Sequence, residues 1–130
     1  MKLTSRMITL IAVIAAVAVA APVAMAGGTV TQIPLKASDS YPNATGKAKY
    51  KKDGSNRELE VEVQHIRSLA GKRVNVFVNG NKIGSPLVSR LGNANLNRDT
   101  QRGQSVPTIV TGSSVTVKTL SGTLIASGTF

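Results

Sequence analysis

The stretch Thr45 to Gln64 constrains this chain most, because two runs of alternating side chains meet there across the turn residues Asp53-Gly54-Ser55-Asn56. Side chains on a strand point alternately to its two faces, so the pairing of two runs decides which residues share a face. With Lys52 set opposite Arg57, Lys51 falls opposite Glu58, Lys49 opposite Glu60 and Lys47 opposite Glu62, all on one face. The other face then carries Tyr50 against Leu59, Ala48 against Val61 and Gly46 against Val63. A slip of one residue would turn a whole apolar set toward water. Charge pairing and apolar pairing agree on one register, which predicts a β-hairpin with one wet face and one dry face.

The rest of the chain after Gly27 follows the same two-residue period, punctuated by Gly, Asn, Asp and Ser, with no helical period longer than one turn. A second hairpin is predicted from Arg73 to about Val88, turning at Gly80-Asn81, with Val78 meeting Ile83 and Val74 meeting Leu87. Phe77 falls on the face opposite Val74, Val76 and Val78, so this strand is either covered on both sides or displays an aromatic ring. Pro86 has no N–H and places an edge or a bulge there. A third hairpin, Ser114 to Phe130 around Ser121-Gly122, sets Thr119 against Leu124, Val117 against Ala126 and Val115 against Gly128. Shorter strands are expected at about Val30 to Leu35, Ala94 to Arg98 and Val106 to Val110, and a loop from Ala37 to Ala44. Seven or eight short strands, each with one apolar face, must bury those faces against one another. The fold class expected is all-β, an antiparallel two-sheet sandwich, with a small β-barrel as the alternative.

Lys2 and Arg6 precede an apolar run from Met7 to Ala21, then Pro22, and the run closes on Ala24-Met25-Ala26 before Gly27-Gly28. A positive start, an apolar middle and small residues at the end make a secretory signal peptide, cleaved after Ala26. An uncleaved anchor is the rival, since the run falls just short of the roughly 18 to 20 residues that span a bilayer. The expected organisation is therefore a leader at 1–26 and a single all-β domain at 27–130, not membrane-spanning once processed and periplasmic or extracellular. Removing 26 of the 130 residues leaves 104, enough for one domain and too few for a two-lobed enzyme.

Composition narrows the chemistry. With no Cys and one His, disulfide frameworks, thiolate zinc sites, thiol nucleophiles and histidine-rich metal clusters are excluded. Lys and Arg total 16 against 6 Asp and Glu, a net charge of +10 that becomes +8 without Lys2 and Arg6. Pairing of Lys47, Lys49 and Lys51 with glutamates removes both signs equally and leaves this surplus in place. Outside the cytoplasm such a surface favours an anionic envelope polymer, acidic polysaccharide or extracellular DNA, by attraction that salt screens. Lys72, Arg73, Lys82, Arg90, Arg98 and Arg102 are the candidate contacts. Specific nucleic-acid readout fits less well, because stacking needs exposed aromatics and the chain has two Tyr and two Phe.

Other candidates resolve into plainer roles. Asn93, Asn95, Asn97 and Asp99 imitate the start of a calcium loop, but position six is Arg98 where Gly is required and position twelve is Gln104 where Glu belongs. A strand with its amides facing water explains them. His65 follows the Leu59, Val61, Val63 face, and no Ser or Thr stands in a Gly-x-Ser-x-Gly elbow to use it. Glu58, Glu60 and Glu62 face lysines, which hold carboxylates ionised and unsuited to acid catalysis. Eight membrane-spanning strands of about 9 to 11 residues would consume nearly all of the domain, which sets an outer-membrane barrel aside. No catalytic residue, metal ligand or cofactor is expected.

The stretch Gly46 to Phe130 contains Leu59-Glu60-Val61-Glu62-Val63, Val76-Phe77-Val78-Asn79-Gly80, Gly92-Asn93-Ala94, Val115-Thr116-Val117 and a closing Gly128-Thr129-Phe130. In these turn glycines and core valines it resembles small exported bacterial β-sandwich domains of uncharacterised function. The resemblance implies fold and location and carries over no catalytic or binding residue. The function expected is that of a non-enzymatic envelope or matrix domain that binds or builds, on anionic polymers in the first instance. A module that recruits an envelope protein by strand-edge pairing is the second reading, and a small secreted hydrolase the third.

Overall fold

A computed structural model describes residues 28–130 together with the backbone of Val23–Met25. The leader expected at 1–26 and its cleavage after Ala26 lie outside the described residues, that short stretch of backbone excepted. Among the described residues no helix is long and apolar enough to cross a membrane. The strands are β1 (Val23–Met25), β2 (Gly28–Ala37), β3 (Thr45–Asp53), β4 (Asn56–Gln64), β5 (Val74–Val78), β6 (Asn81–Gly84), β7 (Ala94–Asp99), β8 (Ser114–Thr119) and β9 (Leu124–Thr129). Two single 3-10 turns, Arg67–Leu69 and Thr100–Arg102, are the other regular elements among the described residues.

The β3–β4 hairpin has the register that charge and apolar pairing require, from Thr45 opposite Gln64 to Asp53 opposite Asn56. Ala48, Leu59, Val61 and Val63 are all but fully buried, while the lysines and glutamates occupy the outer face. Of the three facing pairs only Lys49 and Glu60 close to an ion pair, at 3.8 Å. Glu62 instead accepts a hydrogen bond of 2.6 Å from Gln64 Nε2.

The second hairpin corrects its expected register. Val78 lies opposite Asn81 and Phe77 opposite Lys82, after which a register shift sets Val76 opposite Gly84 and an isolated bridge joins Arg73 to Leu87. The cause is the turn: Asn79 (φ 49°) and Gly80 (φ 80°) both take the left-handed conformation of a primed two-residue turn, one position earlier than expected. Phe77 lies on the outer face, half-buried, with Lys118 Nζ 5.5 Å above its ring. In the third hairpin Val115 meets Gly128 and Val117 meets Ala126 as expected, but a shift after Val117 places Lys118, not Thr119, opposite Leu124. Here Thr119 closes a wider turn, accepting from Gly122 N and donating its own N–H to the Thr123 carbonyl, each at 2.9 Å.

Val106 to Val110 is not a strand. Pro107 breaks any ladder, and the segment runs irregularly with Val106 and Ile109 turned into the core. The strands near Val30 and Ala94 form as expected, β7 pairing antiparallel with β4 from Glu58 opposite Asp99 to Val63 opposite Ala94.

All pairings are antiparallel, and the strands follow the order β6-β5-β8-β9-β2-β3-β4-β7, with β1 added to β2. Strand β2 is the corner. It pairs with β3 over Thr29 to Leu35 and with β9 only at Lys36 and Ala37. The end strands of this order meet without a ladder: a Cβ on Gly84 of β6 would lie 2.7 Å from Leu96 Cδ1 of β7. The sheet is thus one nearly closed barrel, the expected alternative to the two-sheet sandwich. Its interior is filled by Ile33, Leu59, Ile66, Val74, Val76, Val88, Val115, Val117 and Ile125, each under 2% exposed. Burial of each such side chain contributes about 1.5–3 kcal/mol, so this interior carries the stability of a chain without disulfides.

Candidate functional site

Antiparallel register sorts the loops into two ends. One end gathers 38–44, 65–73, 85–93 and 120–123; the other gathers the turns 54–55 and 79–80, the connection 100–113 and Phe130. The six basic residues expected to act together divide between them. Lys72, Arg73 and Arg90 stand at the first end, and Lys82, Arg98 and Arg102 at the second.

At the first end two loops are stitched into one surface. Ile66 N donates to Gly92 O at 3.0 Å, Gly71 N to Val88 O at 2.9 Å and Val88 N to Lys72 O at 2.8 Å. Gly92 (φ 84°) is where the two loops pack: a Cβ there would lie 2.5 Å from Arg67 N. Ile66 and Leu69 bury themselves beneath, which turns Arg67 outward, and Arg73 Nη1 donates to Ser85 O at 2.7 Å. Arg67, Lys72, Arg73 and Arg90 are all exposed on this surface, and Asp39 is the one acid in the four loops. Among the described residues the sole ion pair is Lys49 with Glu60, so none of these four cations is neutralised by contact.

Tyr41, half-buried against the core, stands between two clefts of this end. One, about 460 Å³, includes Leu69, Lys72, Arg73, Leu120 and Ser121. The other, about 320 Å³, includes Pro42, Asn43, His65, Arg67 and Ser68. An aromatic ring flanked by cations on both sides is an arrangement the sequence reading missed, because Tyr41 and the cations are brought together only by the barrel's closure. The signal that could have found it was Tyr41-Pro42-Asn43 in a loop that register places beside the β4–β5 connection.

At the second end the basic residues serve the fold. Arg98 Nε donates to Ser105 O at 3.1 Å, and Arg102 Nη2 donates to Asn97 Oδ1. Lys82 lies on the outer face opposite Phe77. A small cleft of about 130 Å³ here sets Lys51 and Arg57 among Asp53, Glu58 and Asp99, so it offers an anion no surplus of positive charge.

His65 is exposed in the left-handed region (φ 64°) just past β4. No carboxylate lines its cleft. The polar side chains of β7 are engaged: Asn95 Nδ2 reaches Glu60 Oε2 at 3.5 Å, and the Asp99 carboxylate accepts from Gln101 N at 2.8 Å. Among the described residues no three His, Asp or Glu side chains gather as a metal site would require. No family model, no curated protein and no solved structure matches the chain.

Proposed function

We propose that the chain is an exported, non-enzymatic binding domain that holds an anionic polymer, acidic polysaccharide above all, against the loops bearing Arg67, Lys72, Arg73 and Arg90. The observation that carries this reading is the disposition of those four exposed cations on two cross-linked loops, with one acid among them and Tyr41 in their midst. Arginine offers a planar fork to carboxylate or phosphate, and a fixed backbone lowers the ordering cost of each contact. A single aromatic suits the face of a sugar ring better than a strand of nucleic acid, which needs successive stacking platforms. Attraction of this kind weakens with salt.

Retention on immobilised polygalacturonate, compared with neutral dextran, tests the reading. Binding at low salt that is released as salt rises, and that Arg67→Ala, Lys72→Ala, Arg73→Ala and Arg90→Ala together abolish, is the expected result. The Lys82→Ala variant at the other end should be retained like the parent. No retention at low salt, or equal loss in the Lys82 variant, overturns it.

A second reading, recruitment of an envelope protein by strand addition, is favoured by one observation. The β2 edge that faces β9 is laddered to it only at Lys36 and Ala37, and β1 lies along Gly28 to Val30 of the same edge. Cross-linking in the native envelope separates the two: a discrete heteromer supports strand addition, and polymer-bound material supports the first reading.

A further inference from the structure

We propose that the end of the barrel away from the basic loops holds a small amphiphilic anion, an apolar ring or short alkyl chain carrying a carboxylate- or sulfonate-type head. The site begins with Pro34. It has no N–H to give, so the β2–β9 ladder stops at Lys36 and Ala37 and β9 leaves β2 toward its own end. Gly128 allows the crossing, since a Cβ there would lie 2.7 Å from Pro34 O. Beyond that point the two strands part, and the barrel opens into a cleft of about 680 Å³. Register puts Thr31 beside Tyr50 and Thr29 beside Lys52 on its β2–β3 wall. Ile109, Val110 and Phe130 make the facing wall.

Three features fix the chemistry of the occupant. The tyrosine ring, Ile109, Val110 and Phe130 offer an apolar bed, of which Val110 is 61% exposed. Tyr50 is 6% exposed, and its hydroxyl is the one buried side-chain polar atom among the described residues without a hydrogen-bond partner. A buried hydroxyl left in that state is costly, and a ligand oxygen accepting its proton removes the cost. Lys52, two residues along the same face and exposed at the rim, has no carboxylate within ion-pair distance. Its cross-strand neighbour Arg57 is committed to Val106 O. An apolar bed, an unpartnered donor on a tyrosine of its wall and one cation at its rim together select an apolar body with an anionic head. The backbone of β1 pairs with Gly28 to Val30 at this rim, so cleavage after Ala26 would free the approach.

Titration of the purified protein with 1-anilinonaphthalene-8-sulfonate, followed by fluorescence and by calorimetry, tests the site, with decanoate and decylamine as competitors. One equivalent of the dye should bind, decanoate should displace it, and decylamine should not. Tyr50→Phe keeps the ring and should weaken decanoate about 5- to 10-fold, the value of one hydrogen bond, without lowering the melting temperature. Lys52→Gln should weaken decanoate at least as much and leave decanol unaffected. Lys72→Ala with Arg73→Ala, at the opposite end, should change nothing here while reducing retention on polygalacturonate. Absence of saturable decanoate binding, equal displacement by decylamine, or full affinity in both the Tyr50→Phe and Lys52→Gln variants overturns the proposal.

Discussion

Arg57 gives both its Nε and its Nη2 to the carbonyl oxygen of Val106, at 3.2 and 3.0 Å, and so ties the irregular 103–113 segment across the mouth of the barrel. Arg57 sits at the start of β4 and is half-buried, and its backbone N–H is taken by Thr100 Oγ1 at 2.9 Å. Hydrogen bonds from a charged donor contribute about 1.5–3 kcal/mol. Arg57→Met keeps the apolar stem and removes the fork. We expect it to cost about 1–2 kcal/mol in urea unfolding, at the lower end because the group is half-exposed. Hydrogen exchange should accelerate from Gln104 to Thr111 while β3 and β4 keep their protection. Unchanged exchange in that segment would mean that burial of Val106 and Ile109 alone holds it.

The seam between β6 and β7 makes a second prediction. Gly84 has room for no side chain because Leu96 Cδ1 and Cδ2 occupy the space, 2.7 and 2.9 Å from where a Cβ would stand. Gly84→Val should therefore destabilise by roughly 1–3 kcal/mol through overpacking. The obstacle is the far end of a leucine, so combination with Leu96→Ala should recover much of that loss, and a double-mutant cycle should show strong non-additivity. Additive costs would place the two strands apart.

These two contacts mark the limit of what the sequence could tell. The β3–β4 register was legible because both faces of the hairpin carry information, lysine to glutamate outside and Tyr50, Ala48 and Gly46 to apolar partners inside. The β5–β6 register was not, because its outer face holds no charge pattern and its pairing hangs on whether Asn79 or Asn81 flanks Gly80 in the turn. Val106 to Val110 is rich in β-branched residues, as a strand is, and only the distant Arg57 and the missing N–H of Pro107 make it a cap. The site was less legible than the fold. Six basic residues could be named, but which end each occupies depends on the direction of its strand. Tyr41, Arg67 and the unpartnered Tyr50 hydroxyl acquire meaning only once β2 turns the corner at Pro34.

The turn that shifted that register is itself testable. Gly80, at φ 80°, should lose about 1 kcal/mol on replacement by Ala. Asn79 does two things, holding φ 49° and accepting from Ser114 N at 2.9 Å through Oδ1, so it links the β5–β6 turn to the start of β8. Asn79→Ala should cost more than Asn79→Gly, since Gly relieves the backbone while both lose the bond. Thermal unfolding of the three variants measures the order. If Asn79→Gly is the worse of the two, the left-handed backbone at position 79 is not what sets the difference.

The outer charges of β3 and β4 state the register without enforcing it. Lys49 and Glu60, with side chains 39% and 25% exposed, are the pair that closes, and an exposed pair contributes well under about 1 kcal/mol. Leu59 on the other face is fully buried, and its truncation to Ala should cost about 2–5 kcal/mol. The inner face therefore outweighs the outer several-fold. Replacing Glu58, Glu60 and Glu62 by Gln together should cost no more than about 1 kcal/mol in low salt and less in 1 M salt, where the Debye length is about 3 Å. Cross-strand nuclear Overhauser contacts from Lys49 to residue 60 and from Ala48 to Val61 should persist in the triple variant. Loss of those contacts would assign the register to the charges and not to Leu59, Val61 and Val63.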